Sequence, residues 1–152
     1  MPSLSPPRIS IVTIEDDPAQ ARWINRVLSN FVPEDVELTS FTDARAAHAH
    51  LSEVWTDIVV TDLDMPDVDG LELIRQAKRL NPWVQSLILT AYSTSSALVT
   101  AGDIGAADYL VKPVGEGEIE EIVQQSISRL RRWRRSLSDT LWRSRHAIPA
   151  DA

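Results

Sequence analysis

A chain of 152 residues with 43% apolar side chains can bury one core and is short for two ordinary domains. Its formal net charge is −7 and it has no cysteine, which excludes disulfide frameworks, thiolate metal sites and cysteine nucleophiles, while His48, His50 and His146 lack metal-ligand spacing. No apolar run approaches the roughly 20 residues that span a bilayer, and the start, Met1-Pro2-Ser3-Leu4-Ser5-Pro6-Pro7, has no apolar signal core, so no membrane segment is expected and the chain reads as cytoplasmic.

Residues 1 to 7 read as a flexible Pro-rich leader, which gives way at Arg8 to Ile9-Ser10-Ile11-Val12-Thr13-Ile14. The alternation and β-branching of that run predict a strand. Glu15-Asp16-Asp17-Pro18 breaks it, and Ala21, Ile24, Val27 and Leu28 then recur at helical spacing, with Pro18 suited to a first turn, predicting a helix over 18–30. The unit repeats: strand 36–39 with helix 43–53, strand 57–62 with helix 70–80, strand 85–90 with helix 95–103, and strand 108–111 with a helix from about 116. Asn81-Pro82 and Gly105 serve as helix stops. Five βα units in alternation predict an α/β fold, a doubly wound parallel sheet with helices on both faces.

The apolar runs end at polar residues: Glu15-Asp16 after the first, Asp62 at the end of Asp57-Ile58-Val59-Val60-Thr61, Thr90 after a later one, Lys112-Pro113 after the last. In an open parallel sheet the carboxyl ends of the strands share one edge, so three carboxylates, a hydroxyl and an ammonium are expected to converge there. Clustered carboxylates imply protonation or a hard divalent cation, and Asp62 becomes a candidate phosphoryl acceptor. Each residue alone has a plainer explanation. Glu15-Asp16-Asp17 could cap a helix, Asp62-Leu63-Asp64 could be a solvated turn, Thr90 an ordinary strand end, Tyr109 a core-edge residue and Lys112 a solvated lysine. Their joint placement at successive strand ends is what those explanations do not cover.

Four ordered motifs carry a resemblance: Ile11-Val12-Thr13-Ile14-Glu15-Asp16-Asp17-Pro18; Val60-Thr61-Asp62-Leu63-Asp64-Met65-Pro66 with Gly70; Leu89-Thr90-Ala91; and Gly105-Ala106-Ala107-Asp108-Tyr109-Leu110-Val111-Lys112-Pro113. Over residues 8 to 127 the sequence resembles the receiver domain of bacterial two-component response regulators. The Asp-x-Asp element also occurs in phosphotransferases of the haloacid-dehalogenase type, but Pro66 stands where those usually carry Thr or Val.

The resemblance implies a flavodoxin-like strand order of 2-1-3-4-5, with the switch point between the first and third strands beside Asp16 and Asp62. It implies Asp62 as phosphoacceptor from a histidine kinase or phosphotransfer protein. Asp16 and Asp62 would ligate Mg²⁺ or Mn²⁺ directly, Glu15 through a water, and Asp64 through its backbone carbonyl. Lys112 would pair with Asp62 and then with a phosphoryl oxygen, Thr90 would bond another, and Thr90 with Tyr109 would form the switch. A cis Lys112-Pro113 peptide is likewise implied. The protein would catalyse only its own phosphorylation and dephosphorylation. Asp67 and Asp69 receive no metal role, and Trp23, Trp55 and Trp83 are read as packing residues.

Residues 128 to 152 hold seven arginines and two aspartates, net +5, which leaves −12 for residues 1 to 127. Ile119, Ile122, Val123, Ile127, Leu130, Trp133, Leu137 and Leu141 keep helical spacing, and Val123, Leu130 and Leu137 are seven apart. An extended basic C-terminal helix is expected, suited to a homodimer or to a linker toward an output domain. Direct nucleic-acid binding is not expected from an acidic body with arginines alone. The competing function class is a receiver-shaped interaction module that works without phosphate through this helix.

Overall fold

The computed structural model describes residues 7 to 147. Its elements run β1 (Ile9–Ile14), α1 (Pro18–Phe31), β2 (Val36–Phe41), α2 (Ala44–Glu53), β3 (Ile58–Thr61), α3 (Gly70–Leu80), β4 (Gln85–Thr90), α4 (Ser95–Asp103), β5 (Asp108–Val111) and α5 (Glu116–His146). The five strands form one parallel sheet in the order β2-β1-β3-β4-β5, as the resemblance implied. The expected leader falls mostly on residues 1–6, and the end of the expected extension on 148–152, both outside the described residues. β2 runs two residues past its expected end, because Ser40 and Phe41 keep pairing with Thr13 and Ile14 of β1.

Helix starts follow from local chemistry. Asp17, Asp43, Asp69 and Thr94 cap α1 to α4 by accepting from first-turn N–H groups. Asp43, expected inside α2, is therefore its cap, and the exposed Asp69 caps α3. Asp67 lies at φ 73°, in the left-handed region, and its carboxylate meets Arg45 at 3.1 Å. Gly105, φ 77°, ends α4 with a conformation that suits glycine.

The sheet is apolar on both faces because helices cover both. Ile24, Val27 and Leu28 of α1 and Ile119, Ile122, Val123 and Ile127 of α5 pack on Ile9, Ile11, Ile58, Val60, Leu87 and Leu89. Ala44, Ala47 and Leu51 of α2 and Leu73 and Ala77 of α3 pack on Val12, Ile14 and Val59 of the opposite face. Val123 is thus used inside the body and Leu130 packs, partly buried, on the same core, so the exposed part of the seven-residue repeat starts at Leu137. Of the three tryptophans read as packing residues, only Trp23 packs against this core; Trp55 is 51% and Trp83 76% exposed. Trp55 is instead held by its polar edge, donating from Nε1 to Asp57.

Asp57 lies just before β3, at the end of the sheet opposite the polar strand ends. Its buried carboxylate accepts from the Ser10 N–H at 2.9 Å, Trp55 Nε1 at 3.1 Å and Arg134 Nη2 at 3.1 Å. α5 continues unbroken past residue 127, and two further arginines return to the body. Arg129 donates to Gln85 Oε1 at 2.7 Å, and Arg131 makes a forked pair with Asp35 at 3.0 and 3.1 Å. Asp57→Ala removes an acceptor from four donors, the Ser10 hydroxyl being the fourth at 3.4 Å, and is expected to lower the urea unfolding free energy by about 3 kcal/mol, whereas Arg134→Ala, at a partly solvated side chain, costs about 1 kcal/mol. Losses near zero for both would show that the clasp does not stabilise the body.

Candidate functional site

Hydrogen bonding of the parallel sheet carries on one residue beyond the strands and sets where each polar side chain begins. The Glu15 N–H donates to Phe41 O at 3.1 Å, Asp62 N–H to Ile14 O at 3.2 Å and Lys112 N–H to Thr90 O at 2.8 Å. Glu15, Asp62 and Lys112 are thereby brought to one edge, with Asp16 following Glu15 in the β1–α1 loop. Gly70 at the start of α3 packs directly on this edge, since an added Cβ would collide with the Asp62 carbonyl oxygen. A glycine is required there by close approach, not by its φ.

The carboxylates of Glu15, Asp16 and Asp62 each offer an oxygen within 4.8 Å of the others. Glu15 is 3% and Asp62 8% exposed, so their repulsion is only partly screened by water. Lys112 answers it. Its ammonium lies 2.8 Å from Glu15 Oε2, 2.9 Å from Asp62 Oδ2 and 2.7 Å from Gln20 Oε1. The other Asp62 oxygen, Oδ1, accepts from the Asp64 N–H at 3.1 Å. The Lys112-Pro113 peptide is cis.

Burial raises the Glu15 pKa above its ordinary 4.5, and the Asp62 charge adds to the rise; the hydrogen bond and charge of Lys112 and the Asp17 N–H oppose it without cancelling it. Burial alone would lower the Lys112 pKa, but hydrogen bonds to Glu15 and Asp62 and the charges of both hold it above its ordinary 10.5. Both shifts are upward but favour opposite charge states, the neutral carboxyl and the charged ammonium, because the ammonium faces two carboxylates, whereas the buried Glu15 faces one ammonium and a like charge. Three carboxylates face one ammonium, which leaves two negative charges, the balance of one divalent cation. Its donors are hard oxygens in a shared cradle, the set that suits Mg²⁺ or Mn²⁺.

Thr90 is buried at the end of β4, and its Oγ1 accepts from the Tyr92 N–H at 3.3 Å. Tyr109, paired in register with Ile88, packs beside the cluster of Leu63, Ile74, Ile88 and Ala101. Its hydroxyl donates to Ser93 Oγ at 3.0 Å, so the ring edge is tied to the β4–α4 loop. The sequence reading missed Gln20 and Ser93. Gln20 stands four residues after Asp16 near the start of α1, a spacing that brings it back over the loop and could have marked it.

The family model described as "Response regulator receiver domain" matches residues 11–124. DNA-binding transcriptional regulator NtrC of Salmonella typhimurium is 34% identical over 119 residues, 78% of this chain and 25% of that protein. Transcriptional regulatory protein TrcR of Mycobacterium tuberculosis is 33% identical over 124 residues, 82% of this chain and 46% of that protein. The chain thus spans about a quarter to a half of these curated relatives. Among solved structures, a CheY-like receiver domain protein of Methanospirillum hungatei JF-1 superposes with a TM-score of 0.74 at 22% identity, covering 82% of this chain and 98% of that one. The signal receiver domain of a Luxo repressor protein of Vibrio parahaemolyticus gives 0.72 at 19% identity, covering 88% and 97%. At these identities the structural matches show the fold.

A folded-state Glu15 pKa above 4.5 means that folding favours the protonated carboxyl. This group's contribution therefore falls as pH rises from 4.5 through its folded pKa, and the penalty is complete above it. Glu15→Gln is expected to raise the thermal midpoint at pH 7 in metal-free buffer, with the advantage shrinking as pH is lowered toward 4.5. A midpoint at pH 7 below that of the unmodified protein would mean that the Lys112 pair outweighs burial.

Proposed function

Because the chain belongs to the response regulator receiver domain family, a signalling switch of two-component systems rather than a turnover enzyme, we propose that Asp62 is its phosphoacceptor. The observation that carries this reading is the pairing of Lys112 with both Glu15 and Asp62 inside a three-carboxylate cradle. An Asp62 carboxylate oxygen attacks the donor phosphorus in line. The new O–P bond gives an acyl phosphate as the bond to the leaving group breaks and that group departs with the electron pair. A histidine kinase or phosphotransfer protein is the donor, and water later attacks the phosphorus, breaking the O–P bond to release inorganic phosphate and return the carboxylate.

Asp16 and Asp62 would hold the divalent cation directly, Glu15 through a water and Asp64 by its backbone carbonyl. When bound, Mg²⁺ or Mn²⁺ supplies neutralisation of the phosphoryl oxygens. Lys112 transfers one of its hydrogen bonds from Asp62 to a phosphoryl oxygen, and Thr90 donates its hydroxyl proton to another. Movement of Thr90 toward the phosphoryl group frees space for Tyr109, which leaves Ser93 and turns inward. The surface made by α4, β5 and α5 changes with it. Moving such an equilibrium from mostly off to mostly on takes about 5 kcal/mol of differential stabilisation, which two or three charge-assisted hydrogen bonds can largely supply.

The C-terminal extension is proposed as a dimer or linker helix working in the cytoplasm. Among the described residues no helix is long and apolar enough to cross a membrane. Beyond the body, α5 exposes Trp133 at 70%, Leu137 at 48% and Leu141 at 51%, spaced four apart on one flank. That flank is where a second copy would pack. The acidic remainder, net −12 over residues 1 to 127, disfavours a nucleic-acid backbone.

Acetyl phosphate with Mg²⁺ is expected to add one acid-labile phosphoryl group, seen as a single mass increment, and Asp62→Asn to abolish it. No increment with acetyl phosphate or a cognate kinase, or an increment that survives Asp62→Asn, would overturn the reading. For the extension, light scattering of the whole chain is expected to give a dimer mass that Leu137→Glu with Leu141→Glu halves. These substitutions leave Arg129, Arg131 and Arg134 in place, and equal masses would remove the dimer helix.

A further inference from the structure

An ammonium group has three N–H donors and no acceptor, and in Lys112 all three have partners. Two are Glu15 and Asp62, members of the cradle proposed to hold the cation. The third is the side-chain carbonyl of Gln20, at 2.7 Å the shortest of the set and the one neutral partner. Gln20 is oriented from its other end as well. Its Nε2 donates to Asp17 Oδ2 at 3.4 Å, and Asp17 Oδ1 caps α1 by accepting from the Ala19 and Gln20 N–H groups at 2.9 and 3.3 Å. Flipping the amide would set its NH₂ against the ammonium and its carbonyl against the carboxylate, so charge fixes which end faces Lys112.

A cation in the cradle would engage Asp62 directly and Glu15 through a water, and would repel the ammonium. Gln20 is then the partner that Lys112 keeps, because it lies outside the carboxylate cluster. We propose that Gln20 is a positioning residue for phosphoryl transfer, an anchor on α1 that holds Lys112 beside Asp62 while the two carboxylates turn to the cation. The inference rests on the reading of Asp62 as phosphoacceptor.

Two variants test it. Gln20→Met keeps length and removes the acceptor; Gln20→Glu keeps an acceptor for the ammonium, its second oxygen turning from Asp17 to solvent at this exposed position. Gln20 is exposed on the first turn of α1, and neither change disturbs the core. Free Mn²⁺ counted by electron paramagnetic resonance reads cation binding without any reaction, and Gln20→Met is expected to weaken it by about 5-fold, the scale of one hydrogen bond to a charged group. With saturating Mg²⁺ and acetyl phosphate, Gln20→Met is expected to slow labelling of Asp62 several-fold, and Gln20→Glu to restore the rate. Unchanged Mn²⁺ affinity and labelling in Gln20→Met, in a protein whose Asp62 is labelled, would overturn the anchor alone. Slow labelling that Gln20→Glu does not restore would also overturn it. Absence of labelling in the unmodified protein would overturn the acceptor reading and the anchor with it.

Discussion

The ammonium of Lys112 between Glu15 and Asp62 is the interaction on which the rest of this edge depends. Two carboxylates with almost no water contact, and a third within 4.8 Å, would repel one another apart if nothing faced them. One cation offsets only part of that charge. The raised Glu15 pKa records the shortfall as a preference for a proton, and a divalent ion would remove it without one. Stability and cation affinity at this edge are therefore opposed: the repulsion that is unfavourable among the carboxylates is what a bound divalent cation would relieve.

Such a site needs a body that does not yield to it. Each of the three paired residues starts from a backbone hydrogen bond that extends the sheet, so the charges sit on a frame of ladder bonds rather than on free loops. Gly70 adds a limit from below, because α3 can approach the Asp62 carbonyl only without a Cβ. At the other end of the sheet, Asp57 and Asp35 hold arginines of α5, and the exposed part of that helix leaves the body from a defined place. The two ends are linked by α5 itself, which packs Ile119 to Ile127 on the same sheet face that carries β1, β3 and β4. A shift of α5 at its start would consequently move the exposed Trp133, Leu137 and Leu141 as one rod.

Much of the fold was legible in residue order. Ile9–Ile14 is a β-branched run and Gln85–Thr90 carries an apolar run of Leu87, Ile88 and Leu89, and α3 and α4 begin and end where their caps and stops stand. The misses have local causes. Asp43 looks like the first residue of a helix when it is the cap before one, since both readings share the same apolar spacing. Trp83 looks like core because its ring is large and apolar, yet the loop after α3 turns it to solvent. Asp57 was read only as the first residue of a strand. Its partners, Ser10 and Arg134, are 47 and 77 residues away, and no local pattern reports a contact of that kind.

By itself the sequence determined the alternation of five strands with five helices, the residue type at each strand end and the family to which those four motifs point. These are properties of periodicity and order, which a chain carries before it folds. Only the tertiary structure decided how the charges pair. Lys112 meets Glu15 as well as Asp62, Gln20 takes its third proton, Tyr109 is bonded to Ser93, and Val123 is spent on the body's own core. Each of these depends on the distance between side chains from separate βα units, and that distance is set by packing, not by any one segment.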